Sequence, residues 1–183
     1  MERITAIEQP TNLFVRIGFM LMKKQLGKVI TPAKVVYARY PQLMFLARRL
    51  YKIETSMKNI DDELKLLIQY LVATLNECSF CIDISRKRWI EKKLYLHKFN
   101  EILQHSTSPC FSDRERAALS YVTEMVTHTT VSDATFQCLK HFYSEGAIIE
   151  ITFTAAAEYY LNLMTKPLGI DSDGLCMIQH ATE

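Results

Sequence analysis

Apolar residues recur three and four positions apart through most of this chain, the pattern of helices that bury one face. Leu64, Leu67, Ile68, Leu71, Val72 and Leu75 form the clearest stripe, in a segment whose cap is read at Asn59 and Asp62. Leu43, Leu46, Ala47, Leu50 and Ile53 repeat in the same way after Pro41. Ahead of them, a first helix runs from about Asn12 to Gln25 with Gly27 to stop it, and Thr31-Pro32 opens a short second one. Trp89, Ile90, Leu94 and Leu96 mark a charged amphipathic helix. Ser112 and Glu115 form a capping box, and Ser132 caps a helix reaching Phe142. Ser144 opens the last long helix, apolar on nearly all sides and ended by Pro167 and Gly169. Its Ala155, Ala156 and Ala157 permit a close neighbour, which places it at the centre of a bundle or at a subunit contact. The β-branched residues in Ile148–Thr154 do not alternate with polar ones, so no strand is expected there. The pattern predicts an all-α bundle of about seven to nine helices in one domain, 1–183, with a C-terminal tail from about residue 166.

Composition narrows the function. Five Gly and five Pro in 183 residues suit long helices with short connections, and 49% hydrophobic content is enough for one core without staples. A net charge of +2 is too small to point to nucleic acid or an anionic membrane. The local basic cluster of Arg86, Lys87, Arg88, Lys92 and Lys93 has only Trp89 as an interleaved aromatic and reads as a solvated helix face. Glu2 and Pro10 interrupt any secretory signal, and the apolar run from Leu13 to Met22 is too short to cross a bilayer. It reads as a buried or oligomer-facing helix. With five cysteines and no export signal, a reducing cytoplasm is expected.

The chemistry concentrates in "NECSFCIDISRKR", where Cys78 and Cys81 are separated by two residues. In helical backbone, residues three apart have Cα atoms roughly 5 Å apart, within the reach of a disulfide. At a helix start near Asn76, unpaired N–H groups and the helix dipole favour thiolate over thiol. A buried pair continuing the stripe from Leu71 and Leu75 is an equal reading of the same residues. Zinc would need two further ligands at matching spacing. The chain has no second Cys-x-x-Cys, no His pair four apart, and Cys110, Cys138 and Cys176 are isolated, so neither a metal nor a cofactor is expected. His97, His105, His128, His141 and His180 are scattered and read as solvated or hydrogen-bonded side chains. Cys176 belongs to a tail expected to be mobile, where a thiol reaching the dithiol of a neighbouring subunit is the lesser reading.

The stretch "LIQYLVATLNECSFCIDIS" resembles the signature of the carboxymuconolactone decarboxylase family, in its alkylhydroperoxidase AhpD-like branch: an apolar helix, Asn-Gly-Cys-x-x-Cys, then a further helix. Asn76, Cys78, Cys81 and Asp83 match. The segments "GKVITPAKVVYARYPQLM", "FSDRERAALSYVTEM" and "FYSEGAIIEITFTAAAEYYLNLMTKPLGI" are similar to the family's flanking regions. The resemblance implies an all-α fold assembling as dimers, trimers or hexamers, with the dithiol near a subunit boundary. It implies a peroxidase or dithiol-disulfide oxidoreductase whose substrate is a hydroperoxide or disulfide, with a dithiol reductant. Cys81 is then the attacking sulfur and Cys78 the resolving one.

Where peroxidase members carry Glu, His and His, this chain has Leu66, Phe80 and Ser85, and Glu77 stands at the usual glycine. A His four residues beyond Cys81 would lie beside it as a proton acceptor, whereas Ser85 is a poor base. Glu77 and Asp83 are then the nearest carboxylates, and Arg86 and Arg88 the cations to offset Glu77. Retention of the dithiol argues against lactone decarboxylation. The alternative is a helical oligomer that keeps the pair as a latch or as core and acts by binding a partner.

Overall fold

The computed structural model describes residues 3–92 and 97–176. Lys93, Leu94, Leu96 and His180 lie outside the described residues. Among those described there are eight α-helices and no strand: α1 (Leu13–Leu26), α2 (Pro41–Ser56), α3 (Asp62–Leu75), α4 (Ser79–Glu91), α5 (His97–Asn100), α6 (Asp113–His128), α7 (Asp133–Phe142) and α8 (Glu145–Leu163). None is long and apolar enough to cross a membrane.

Most ends follow the capping signals. Asn12 accepts from the N–H groups of Phe14 and Val15 at the start of α1, and Gly27 closes that helix in the left-handed region at φ 77°. Ser112 and Glu115 cap α6 reciprocally, while Ser132 and Ser144 cap α7 and α8. Three ends differ from expectation. Asp61 caps α3 by accepting from the N–H of Leu64 at 2.7 Å, because Asn59 is taken by Glu150. The segment after Pro32 is a single π-helical turn, Ala33–Tyr37, and Thr31 bonds to Asp173 instead of capping it. Finally, α8 stops at Leu163, and Lys166–Leu168 forms a separate 3-10 turn closed by Gly169 at φ 70°.

The centre is α3, which packs against α8, α4 and α6 and is buried along Leu64–Ala73. Leu67, Ile68, Leu71 and Val72 meet Leu119 and Val122 of α6 and Ile151 and Ala155 of α8 in one cluster. At about 25 cal/mol per Å² of apolar surface, this burial is the main force holding the bundle. Trp89 of α4 is fully buried and meets the Phe99 ring edge-on at 4.4 Å. The last helix is thus central, as its apolar character predicts. It runs parallel to α3: Glu150 meets Lys58–Ile60 ahead of α3, and Asn162 meets Asn76 at its end.

The basic cluster is not a freely solvated face. Lys87 is buried and donates to Glu91 at 2.5 Å, the Arg86 guanidinium donates to the Tyr70 hydroxyl, and Arg88 lies over the Tyr51 ring. By contrast, Leu13, Phe14, Ile17, Met20 and Leu21 of α1 are exposed, Phe14 by 68%. Phe45, Leu46 and Tyr51 of α2 are exposed as well.

Candidate functional site

The turn between α3 and α4 sets the sulfurs in position. Asn76 is the C-cap of α3, the Glu77 N–H donates to the Thr74 carbonyl at 3.0 Å, and the Cys78 N–H donates to the Ala73 carbonyl at 2.9 Å. These two bonds make a Schellman turn, whose residue past the cap must be left-handed. That residue is Glu77, at φ 49°. This is the physical reason a glycine suits the position, since a side chain there costs on the order of 1 kcal/mol.

The turn delivers Cys78 as the N-cap of α4, at φ −85° and ψ 92°, with no capping bond from its side chain. Helix α4 therefore begins two residues later than the sequence suggests, and both cysteines lie in its opening turn. Cys78 and Cys81 are joined as a disulfide, with Cα atoms 5.3 Å apart. The first-turn N–H groups and the positive end of the helix dipole favour negative charge on sulfur when the bond is open.

The remaining polar contact to the sulfurs comes from the far end of the chain. The Thr165 hydroxyl, just past α8, lies 3.1 Å from Cys78 Sγ and 3.6 Å from Cys81 Sγ. The same hydroxyl is 3.0 Å from the Asn162 carbonyl and 3.1 Å from the Leu161 carbonyl. No sequence signal singles out Thr165, which stands 84 residues from Cys81 and only precedes a helix stop.

The candidate supporting residues lie as follows. Glu77 directs its carboxylate to solvent, 83% exposed, and pairs with Lys166 at 3.0 Å, while Lys166 also bonds to the Asn76 carbonyl. Arg86 and Arg88 are engaged elsewhere, so Lys166 is the cation beside Glu77. Ser85 is buried one turn beyond Cys81. Asp83 is buried and holds the tail: it accepts from Ser172 Oγ at 2.9 Å and from the N–H groups of Leu175 at 2.8 Å and Cys176 at 3.0 Å. Burial pushes its carboxyl up, but these hydrogen bonds outweigh that and hold it below the usual aspartate range.

The tail is accordingly folded through Cys176 and does not hang free. Asp173 accepts from the Thr31 N–H at 2.7 Å and hydroxyl at 2.9 Å, and pairs with Lys28 at 3.0 Å. Ile170 and Leu175 are buried in one apolar cluster with Val35, Val36, Phe80 and both cysteines. The sulfurs are sealed in consequence, Cys78 being 1% and Cys81 3% exposed. Cys176 donates to the Asp83 carbonyl at 3.1 Å; burial first, then Asp83, pushes its thiol up to about 11.

A second polar group lies behind the turn. Glu158 of α8 is buried and accepts from Asn162 at 2.7 Å, and Asn162 in turn accepts from Asn76 at 3.0 Å. Burial, reinforced by Glu54 and opposed by Arg88, raises the Glu158 carboxyl to about 7. Among the described residues no group of three or more His, Cys, Asp or Glu side chains converges to hold a metal.

No protein-family model matches the chain. It is 27% identical over 168 residues to the uncharacterized protein YnjA of Escherichia coli K12, a match covering 91% of this chain and 92% of YnjA. Among solved structures, the debrominase Bmp8, as a cysteine-to-alanine variant in complex with 2,3,4-tribromopyrrole, superposes with a TM-score of 0.80. That match has 21% identity and covers 98% of this chain and 97% of Bmp8. An uncharacterized peroxidase-related protein from Ralstonia eutropha JMP134, described as an alkylhydroperoxidase AhpD core, superposes with a TM-score of 0.72. Its identity is 16%, over 93% of this chain and 94% of that one. An all-α bundle around a Cys-x-x-Cys helix start, superposing along nearly its whole length on these proteins, has the AhpD-like fold.

Proposed function

We propose that this chain is a thiol-dependent oxidoreductase of the AhpD-like branch of the carboxymuconolactone decarboxylase family, in which Cys78 and Cys81 alternate between dithiol and disulfide. The observation that carries this reading is the bonded pair in the opening turn of α4, with Cys78 itself as the N-cap. A helix start lowers thiol pKa, and a pair at this spacing opens and closes without moving the backbone.

In the reduced protein the Cys81 thiolate attacks one oxygen of a hydroperoxide and the O–O bond breaks. Cys81 becomes a sulfenic acid, and the alkoxide takes up a proton and leaves as alcohol. The Cys78 thiolate then attacks the sulfenic sulfur, forming the disulfide and releasing hydroxide, which is protonated to water. A dithiol reductant returns two electrons and two protons by thiol-disulfide exchange, and a disulfide substrate would enter by that same exchange. Since the sulfurs are sealed, each exchange requires the segment 170–176 to move aside. Asp83 acts by holding that segment and Glu77 by shaping the turn, while Ser85 lies beside Cys81 on α4.

The exposed apolar faces of α1 and α2 support assembly as a homo-oligomer, and a cycling dithiol beside three unpaired cysteines fits the cytoplasm. The near-complete superposition on Bmp8 favours a second substrate class for the same pair. A brominated heteroaromatic plus two thiols would give the debrominated ring, hydrogen bromide and the disulfide.

The test is consumption of an organic hydroperoxide, and separately of a bromopyrrole, by reduced protein supplied with a dithiol reductant. Turnover that stops in Cys81→Ser supports the reading and its substrate arm. Undiminished turnover in Cys81→Ser removes the pair from the chemistry, and no turnover with no disulfide formed from either oxidant leaves a helical oligomer that acts by binding.

A further inference from the structure

At the three positions where the resemblance would place Glu, His and His, this chain has Leu66, Phe80 and Ser85. Among the described residues, the side chain that hydrogen-bonds to the pair is the Thr165 hydroxyl, just past α8. We propose that Thr165 is the positioning residue of the dithiol, donating its hydroxyl hydrogen to the Cys78 sulfur and holding that sulfur as thiolate. The inference rests on the dithiol cycle described above and assigns a role to a residue outside it.

The geometry makes the hydroxyl a two-position donor. It has one hydrogen and two sets of acceptors within reach: the Asn162 and Leu161 carbonyls at 3.0 and 3.1 Å on one side, and the sulfurs on the other. When Cys78 is a protonated thiol, the S–H donates to Thr165 Oγ1 and the hydroxyl hydrogen rests on a carbonyl. When Cys78 is a thiolate, rotation about one bond turns that hydrogen onto sulfur, replacing a neutral contact with a charge-assisted one. In a site this buried, with Cys78 1% exposed, water does not compete for the anion, so a single donor carries more weight than at a surface.

The asymmetry of the two distances in the bonded pair singles out one sulfur. At 3.1 Å against 3.6 Å, the hydroxyl serves Cys78 before Cys81. Cys78 is the sulfur that must be a thiolate twice in the cycle. It is the nucleophile when it displaces hydroxide from the Cys81 sulfenic acid. It is also the leaving group when a reductant's thiolate attacks Cys81 Sγ and breaks the disulfide. In that step the S–S electron pair departs with Cys78, one proton later comes from the reductant's second thiol, and Thr165 supplies a hydrogen bond rather than a proton. The hydroxyl therefore returns to its starting state after each turn.

The experiment reads the thiolate directly and needs no substrate. Reduced protein carrying Cys81→Ser is titrated by thiolate ultraviolet absorbance in three backgrounds, Thr165 intact, Thr165→Ser and Thr165→Val, and the matching curve of Cys78→Ser, Cys81→Ser protein, which carries the signal of Cys110, Cys138 and Cys176, is subtracted from each. Valine keeps the shape and removes the hydroxyl; serine keeps the hydroxyl. The expected result is a Cys78 pKa raised by roughly one unit in Thr165→Val, a tenfold loss of thiolate at a fixed pH below it, with Thr165→Ser close to the parent. Equal pKa values in Thr165→Val and the parent overturn the assignment. Thr165→Ala takes the place of Thr165→Val if circular dichroism shows that the latter does not fold, and an unshifted pKa there overturns it equally. Because the titration involves neither hydroperoxide nor reductant, a protein that turns nothing over still reports on Thr165, and the two claims fail separately.

Discussion

Helix α8 grips α3 at both ends, and the two grips differ in kind. Ahead of α3 the contact is a carboxylate: Glu150 accepts from the backbone N–H groups of Lys58, Asn59 and Ile60 and from the Asn59 side chain, at 2.7 to 3.1 Å. Three of those four donors are backbone N–H groups fixed by the chain, so the arrangement strongly favours one satisfied state. At the other end the buried contacts run through side-chain amides and a hydroxyl, which are adjustable. Asn162 bridges Glu158 and Asn76, and the Thr165 hydroxyl has acceptors on two sides. One end is built to hold and the other to change state, on the same pair of parallel helices.

Breaking the holding end has the largest expected effect. Glu150→Ala strands three backbone N–H groups, a loss of about 2–3 kcal/mol of unfolding free energy by denaturant titration. The Cys78 pKa is expected to stay unchanged. Hydrogen bonding holds the Glu150 carboxyl below its ordinary value of 4.5 against the cost of burial. Its contribution is therefore fully present above pH 4.5 and is lost as pH falls through the lower, folded value. Glu158 at the adjustable end has the opposite sign. With a folded pKa of about 7 against an ordinary 4.5, its contribution is fully present below pH 4.5 and is lost as pH rises through about 7. Glu158→Gln is expected to flatten the fall in melting temperature between pH 5 and pH 8, and an unaltered fall would remove Glu158 from the account.

The tail adds a third contact of smaller amplitude. Asp83→Ala frees Ser172, Leu175 and Cys176, and is expected to raise the alkylation rate of the reduced pair about tenfold with little loss of global stability. Equal rates would mean that another segment controls access. The smallest change is Glu77→Gly, which relieves a left-handed side chain at the cost of a weak exposed ion pair. A gain of about 0.5 kcal/mol is expected, read as a slightly higher denaturant midpoint.

The bundle was legible in the sequence because its determinants are local. Leu64 to Leu75 carry the helical period, and Ser112, Ser132 and Ser144 each cap a helix from within three residues. The dithiol was legible for the same reason, as two cysteines at helical spacing. What escaped depends on contacts distant in sequence. Asn59 suits an N-cap, yet Glu150, 91 residues on, claims its backbone N–H and its side chain, and Asp61 caps instead. Thr31 is drawn to Asp173 over 142 residues, and the tail that looked free folds because Asp83 offers a buried acceptor to its backbone. Neither Thr165 nor Glu158 carries a mark in the sequence, since threonine near a helix end and glutamate within a helix are both ordinary there.

The central claim is that Cys78 and Cys81 exchange electrons with a reagent outside the folded protein. Equilibrating the native protein across a series of glutathione redox buffers, trapping thiols by acid and alkylation, and mapping disulfides by mass spectrometry tests it most directly. The Cys78–Cys81 bond is expected to pass fully between open and closed along a two-electron curve while the chain stays folded. A pair that stays in one state across the whole series, or changes only once the chain unfolds, would contradict it.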